Sequence, residues 1–267
     1  MTTRGPRLRM LALVGVAAIA TILVFRMERL PQDDAYHRFA DDRILLSVPN
    51  LFNVASNLPF LAIGLAGLVR LRRRPEVEER SAWFLLFLGM TLTAFGSAYY
   101  HWSPSNHTLV WDRLPMTVAF AGLFAALLGE RVGNRAYRLT LWPLLALSVG
   151  SVIFWYLGEL RGAGDLRLYA LVQFLPILLI PLLVALYPPK YTHGAYLFIA
   201  LGWYAAAKVF EALDRQIYDL SGFVSGHTLK HLAAALSCWM LLRLFTVRTR
   251  AQGASQSPRV SQVSSTR

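Results

Sequence analysis

Cysteine is nearly absent from this chain of 267 residues: its one cysteine, Cys238, lies inside an apolar stretch. A single thiol excludes an intramolecular disulfide, and it also excludes a zinc site built from several cysteines. Any metal ion that this chain binds must therefore be held by His, Asp, Glu or other oxygen ligands.

Charged residues are also scarce, at 16% of the chain, whereas hydrophobic residues make up 55% and the mean hydropathy is +0.43. These values lie outside the usual range of soluble domains and predict a membrane protein. Acidic residues are fewer than basic residues, with 15 Asp and Glu against 27 Lys and Arg, which gives a formal net charge of +12. Such a charge can indicate a nucleic-acid partner, but the arginines occur in short clusters between apolar runs, which is typical of membrane topology. We therefore expect no nucleic-acid partner.

About 20 apolar residues cross a bilayer as one helix, and the sequence contains eight candidate stretches. They run approximately over 9–26, 50–71, 82–102, 109–129, 137–158, 167–187, 194–213 and 227–247. The connections are short and contain Pro, Gly and charged residues, with no evident repeat. The predicted fold class is an all-α, polytopic membrane helix bundle, with a seven-helix core and one extra N-terminal transmembrane helix.

The predicted organisation has three parts. Residues 1–30 form a cytoplasmic stub and the extra helix, 31–247 the seven-helix domain, and 248–267 a disordered, Ser-rich cytoplasmic tail. The first helix has two interpretations. Ala18-Ile19-Ala20 resembles a signal-peptide cleavage site, but the apolar run continues past it, which favours a retained anchor.

Positive charge orients the predicted bundle, because Lys and Arg accumulate on the cytoplasmic side. If eight helices alternate, the basic clusters all fall on one side: Arg4, Arg7, Arg9, Arg70, Arg72, Arg73, Arg74, Arg80, Arg131, Arg135, Arg138, Lys190, Arg243, Arg248 and Arg250. We therefore expect a multi-pass protein of the plasma membrane with both termini in the cytoplasm.

Ionisable residues gather near the predicted non-cytoplasmic helix ends. Ser97 and His101 share one face of the third helix, Asp112 lies in the first turn of the fourth, and His227 and His231 share one face of the eighth. Each ionisable group inside a bundle costs about 2.5–3.5 kcal/mol on insertion scales. A cluster of this kind indicates a functional site near the non-cytoplasmic face.

Zinc suits this set of residues, because three neutral imidazoles leave a fourth tetrahedral position for water. The metal lowers the pKa of that water toward about 7. Asp112 can then orient or deprotonate the water, and the Ser97 hydroxyl can donate to a developing oxyanion. The predicted zinc ligands are His101, His227 and His231, with Ser97 and Asp112 as the catalytic pair.

Four short motifs carry a family resemblance: NVASNLPF (53–60), SAYYH (97–101), WDRLPM (111–116) and SGHTLKH (225–231). In that order across a seven-helix core, the chain resembles the alkaline ceramidase family over about residues 33–247. This family belongs to a superfamily of seven-helix membrane hydrolases that includes adiponectin-receptor-like proteins. The resemblance implies the same zinc ligands and catalytic pair. It also implies cleavage of the ceramide amide to a sphingoid base and a fatty acid by zinc-bound water.

Animal members of that family carry an acidic calcium-binding segment before the first core helix. The corresponding segment here, YHRFADDRILLSVPN, offers Asp41 and Asn50 in related places but no evident full set of acidic ligands. The resemblance therefore gives calcium only weak support.

Other interpretations stay open at this stage. The zinc site of a membrane receptor or sensor could be mainly structural, and an ester lipase could use the same residues on a different acyl lipid. Two groups of polar residues also have two interpretations: they form hydrogen bonds between helices, or they orient a ligand imidazole by a hydrogen bond. These groups are Asn53 with Asn57, and Lys208 with Glu211 or Asp214.

Overall fold

The computed structural model describes residues 4–251 of the chain. Its α-helices are α1 (Arg4–Arg26), α2 (Leu51–Ala55), α3 (Leu58–Arg72), α4 (Arg80–Trp102), α5 (Asn106–Arg131), α6 (Asn134–Glu159), α7 (Arg167–Leu186), α8 (Ala195–Ala212), α9 (Asp214–Ser221) and α10 (Gly226–Val247). A 3-10 turn (Asp34–His37) and a two-stranded antiparallel hairpin, β1 (Ile44–Leu45) and β2 (Val48–Pro49), connect α1 to α2.

The predicted all-α, multi-pass bundle is confirmed within these residues. Seven helices, with α2 and α3 taken as one span, are long and apolar enough to cross a membrane, and the bent pair of α8 and α9 would make an eighth. These spans coincide with the eight apolar stretches of the sequence.

Two spans contain breaks that hydropathy did not reveal. The second is interrupted at Ser56 and Asn57, where α3 restarts with Pro59, whose missing N–H suits the first turn of a helix. The seventh ends at Ala212, and α9 leaves it at an angle of 75°. Both breaks lie at the end of the bundle where α4 ends and α10 begins, here called the histidine end.

The core helices pack mainly as α3 against α4, α4 against α5, α5 against α6 and α8 against α10. Glycines permit a close approach of α4 to α5; for example, a Cβ at Gly89 would lie 2.6 Å from the carbonyl oxygen of Pro115. A larger residue there would separate the two helices.

The N-terminal helix α1 lies outside the core and packs against α7, with most of its side chains exposed. Arg167 donates to the carbonyl oxygens of Phe25 and Met27 at 3.1 and 2.6 Å, and the amide of Leu166 donates to Leu30 at 2.7 Å. These bonds bring the segment that follows α1 over the histidine end.

Residues 248–251, at the start of the predicted tail, contact the bundle. Arg248 is buried and paired with Glu130, and Arg250 forms an antiparallel bridge with Tyr191. An isolated buried carboxylate is costly, so the charge of Glu130 fixes Arg248 at this end of the bundle. The rest of the predicted tail, 252–267, lies outside the described residues, as do residues 1–3 of the predicted stub.

Candidate metal centre and cavity

Three histidines meet at the histidine end. His101 lies in the last turn of α4, and His227 and His231 lie in the first two turns of α10. All three are at most 4% exposed, and their candidate ligand atoms lie within 4.8 Å of one another. The structure therefore brings together the three histidines that the sequence predicted as ligands, in a buried cluster that could hold a metal ion.

The start of α10 is held by the residues around the first of these histidines. Ser225 caps the helix by accepting the amide of Thr228 at 3.1 Å, and Asp214 accepts the amide of His227 at 2.7 Å. A Cβ at Gly226 would lie 2.7 Å from the Cα of Asp214. The SGHT sequence thus caps the helix and lets it approach α9 closely, which places His227 toward α4.

The ring of His231 is oriented by a residue that sequence reasoning missed. Ser56 Oγ lies 2.7 Å from His231 Nδ1 and donates to the carbonyl oxygen of Asn53 at 3.1 Å. The hydrogen bond at Nδ1 leaves Nε2 of the same ring available as a ligand. The i, i+3 spacing from Asn53 to Ser56 could have indicated this shared face.

Packing restrains the other two imidazoles. The ring of Phe39 contacts those of His101 and His227, with centroids 4.6 and 4.7 Å away. Sequence reasoning did not single out Phe39, because it lies in an irregular segment whose placement depends on tertiary contacts.

The spacing of one histidine pair and an unpaired nitrogen of the third histidine are compatible with a tetrahedral zinc site. Zn–N bonds of about 2.0–2.1 Å at tetrahedral angles put two ligand nitrogens about 3.3–3.4 Å apart. The Nε2 atoms of His101 and His231 are 3.2 Å apart, and the buried Nε2 of His227 has no hydrogen-bond partner among the described residues. Buried polar atoms are normally paired, so this arrangement suits a metal ion.

Ser97 and Asp112 lie together on the facing sides of α4 and α5, where the hydroxyl of Ser97 is beside the carboxyl group of Asp112. The two helices come this close because of the residues that precede Ser97 and Asp112 in the sequence, Gly96 and Trp111. A Cβ at Gly96 would overlap the carbonyl oxygen of Trp111, so only glycine permits this approach. Ser97 is buried and Asp112 half-buried.

A cavity of about 370 Å³ begins at these groups and extends along the bundle. Its polar end includes Ser97, Asp112 and His231. Its remaining wall is largely apolar and comes mainly from α4, α5, α7, α8 and α10, with Leu86, Leu123, Ile180, Leu197 and Leu241 among the lining residues. An apolar cavity that ends in a few polar groups suits a lipid chain with one reactive polar group.

Asp41 and Asn50, the weakly supported calcium residues, have other partners. Both carboxylate oxygens of Asp41 accept from Arg43, at 2.7 and 2.9 Å. The side-chain amide of Asn50 donates to the carbonyl oxygen of His101 at 2.8 Å. Across residues 4–251, the geometry gives no support for calcium at this pair.

Several other polar residues pair within the bundle. Lys208 pairs with Glu211 at 2.7 Å, as its i, i+3 spacing indicated, and Lys230 donates to the same carboxylate at 3.1 Å. Asp214 does not pair with Lys208 but accepts backbone amides. Asn53 accepts the Thr228 hydroxyl at 2.8 Å and so supports the start of α10.

The fold and the histidine cluster define a class, namely multi-pass membrane proteins with a buried candidate metal centre. The ceramidase family model matches residues 44–262. This match covers most of the chain, and the protein belongs to the ceramidase family, as the four motifs predicted. It is therefore a ceramidase-like hydrolase with a lipid substrate. A comparison with curated proteins returned no match.

Proposed function

We propose that this protein is a zinc-dependent intramembrane lipid amide hydrolase that cleaves an N-acyl sphingolipid, ceramide, to a sphingoid base and a fatty acid. One observation carries the proposal: the buried histidine cluster and the Ser97–Asp112 pair lie at the polar end of a long apolar cavity. The family membership supports the amide-cleaving reaction.

His101, His227 and His231 would hold the zinc ion. When bound, zinc would lower the pKa of a water molecule toward about 7 and polarise the substrate carbonyl. The protein itself supplies orientation, since Ser56 and Phe39 restrain the ligand rings. Misoriented imidazoles would weaken the site, because groups behind the ligands commonly contribute 10–100-fold to metal affinity or activity.

Asp112 is the proton carrier of the proposed reaction. Its carboxylate accepts a proton from the attacking water and gives it to the amide nitrogen as the C–N bond breaks. The Ser97 hydroxyl donates a hydrogen bond to the carbonyl oxygen as negative charge develops there. The products are a carboxylic acid, in which the carbonyl carbon has gained the hydroxyl group of water, and a free amine, in which the nitrogen has gained the proton.

The apolar wall of the cavity holds the acyl chain and excludes water from it. This arrangement keeps the reactive carbonyl at the polar end, and removing bulk water strengthens each electrostatic contact there. An ester lipid of the same shape would fit the same cavity, so substrate cleavage must be measured on both lipid classes.

We further propose that both termini are cytoplasmic and that the histidine end faces the non-cytoplasmic side of the plasma membrane. The basic clusters of the sequence support this orientation. Tags at the two termini, tested for protease accessibility in intact cells and in lysed cells, measure it. Both tags should be cleaved only after lysis, and cleavage of either tag in intact cells would contradict the proposed topology.

The test of the reaction uses purified full-length protein with measured metal content and a panel of N-acyl and O-acyl lipids. His231→Ala should lose zinc and turnover. Asp112→Ala should keep zinc and lose turnover. His193→Asn is the matched control, because His193 is exposed and lies at the opposite end of the bundle, and it should keep both.

Wild-type protein without stoichiometric zinc would overturn the metal mechanism. Zinc-containing protein that cleaves no lipid of the panel would favour a receptor or sensor. Selective cleavage of O-acyl lipids would identify an ester lipase.

A further inference from the structure

A buried guanidinium lies next to the proposed catalytic aspartate. Arg113 follows Asp112 on α5, is 5% exposed and lines the cavity. Its guanidinium carbon lies 4.2 Å from the ring centroid of Trp155 and 4.7 Å from that of Tyr169. Two aromatic rings therefore hold the group in place by cation–π contacts.

The guanidinium is only partly satisfied. Nη2 donates to the side-chain oxygen of Gln32 at 2.6 Å, whereas the buried Nη1 has no hydrogen-bond partner within residues 4–251. No salt bridge joins Arg113 to a carboxylate in this part of the chain. A buried cation is normally paired, because its desolvation is costly.

The other two cations that line the cavity share one carboxylate, and the second carboxylate forms no salt bridge among residues 4–251. Glu211 binds Lys208 and Lys230, and Asp112 lies beside the Ser97 hydroxyl. The charged side chains that line the cavity are three cations and two carboxylates, so positive charge is in excess there. Arg113 is the lining cation that no carboxylate neutralises by a salt bridge in the described structure.

A hydrogen-bond network fixes this guanidinium. Glu159 accepts the backbone amide of Gln32 at 2.7 Å and the indole N–H of Trp155 at 2.9 Å. Both Gln32 and Trp155 contact Arg113, so one carboxylate positions two of its neighbours. Preorganised donors of this kind are typical of groups that recognise an anion.

The segment that supplies Gln32 precedes the family match, which begins at residue 44. Leu30 and Tyr36 of the same segment line the cavity. This part of the cavity is therefore a contribution of this chain beyond the matched domain, and it lies beside the reacting groups rather than along the apolar wall.

We propose that Arg113 selects substrates with an acidic headgroup, a carboxylate or a phosphate placed near the scissile amide. This inference rests on the proposed amide cleavage and deepens it. Arg113 binds the acid through its planar fork, and Gln32 is a positioning residue. Among N-acyl lipids that the protein cleaves, those with an acidic headgroup are then preferred to neutral ceramide.

The experiment compares full-length wild-type protein with Arg113→Gln, Arg113→Lys and Gln32→Leu. Their kcat/KM values are measured on lipids with one acyl chain and three headgroups: an N-acyl amino acid, an N-acyl sphingoid phosphate and neutral ceramide. Arg138→Gln is the matched control, because it removes an exposed arginine from the opposite end of the bundle.

We expect wild-type protein to prefer one of the acidic lipids to ceramide by at least about tenfold. Arg113→Gln should abolish this preference, so that kcat/KM on the acidic lipid falls at least about tenfold more than kcat/KM on ceramide. Arg113→Lys should retain part of the preference, because it keeps the charge without the fork. Gln32→Leu, on the segment between α1 and the 3-10 turn, should lower the preference even if Arg113→Gln fails to fold. The better acidic lipid identifies carboxylate or phosphate.

Binding separates this proposal from the proposed reaction. Wild-type protein should bind the N-acyl amino acid at least about tenfold more tightly than its methyl ester, and Arg113→Gln should bind both alike. A carboxylate held only by a bound metal would keep its advantage in Arg113→Gln, which would overturn the headgroup proposal. Equal binding of acid and ester by wild-type protein would overturn it as well. The predicted binding without any amide cleavage would instead refute the reaction and leave the headgroup site standing.

Discussion

The close approach of α4 to α5 at Gly96 gives a sharp test of how the proposed catalytic pair is positioned. In Gly96→Ala the new methyl group would overlap the carbonyl oxygen of Trp111, and it would lie 3.3 Å from the amide nitrogen of Asp112. The interior is close-packed, so relief requires α5 to move away from α4 by on the order of 1 Å.

This movement should affect turnover more than it affects the metal. The histidines and Ser97 lie on α4 and α10, whereas Asp112 moves with α5. A displacement of about 1 Å at a reacting group can lower the rate about 100-fold. Overpacking of this kind costs about 1–3 kcal/mol of stability. Zinc content should stay close to that of wild-type protein.

The assay measures kcat/KM, bound zinc and the apparent melting temperature of the same preparation. Gly150→Ala is the matched control, because nothing lies within 4 Å of a Cβ at Gly150 in α6. Alanine there should raise stability by about 0.5–1 kcal/mol, since glycine is unfavourable inside a helix. If Gly96→Ala kept more than half of the wild-type kcat/KM and the same melting temperature, the positioning argument would be refuted.

Three further predictions concern the metal and the loop before α7. Ser56→Ala should weaken zinc binding by about 10–100-fold in a chelator competition, because His231 Nδ1 loses its hydrogen bond; unchanged affinity would contradict this role of Ser56. Chelation should lower both turnover and the apparent melting temperature, and added zinc should restore both; turnover that survives complete metal removal would contradict a metal-dependent reaction. Hydrogen bonds from Arg167 lower the pKa of Asp165, so its contribution to stability should be present above the unfolded pKa of about 3.9 and be lost as pH falls through the lower folded value. Apparent melting temperatures of wild type and Asp165→Asn should therefore converge toward acid pH, and a constant difference between them would count against this ion pair.

Membrane-spanning helices follow closely from the sequence, because burial in lipid requires long apolar stretches whatever the details of packing. The five proposed site residues were also identifiable, since ionisable and hydroxyl groups near apolar helix ends are costly and few. Alternation of the helices then brings His101 and Asp112 to the same end as His227 and His231.

Tertiary structure alone decided the contacts that orient those residues. Ser56 reaches His231 because its span breaks at Asn57, and Phe39 reaches the cluster from an irregular segment. Arg113 reads in the sequence as an ordinary basic residue, yet it lies between two aromatic rings from other helices. Hydropathy and residue spacing determine which segments form membrane-spanning helices and which residues share a helix face. Ring orientation and charge pairing depend instead on neighbours that are distant along the chain.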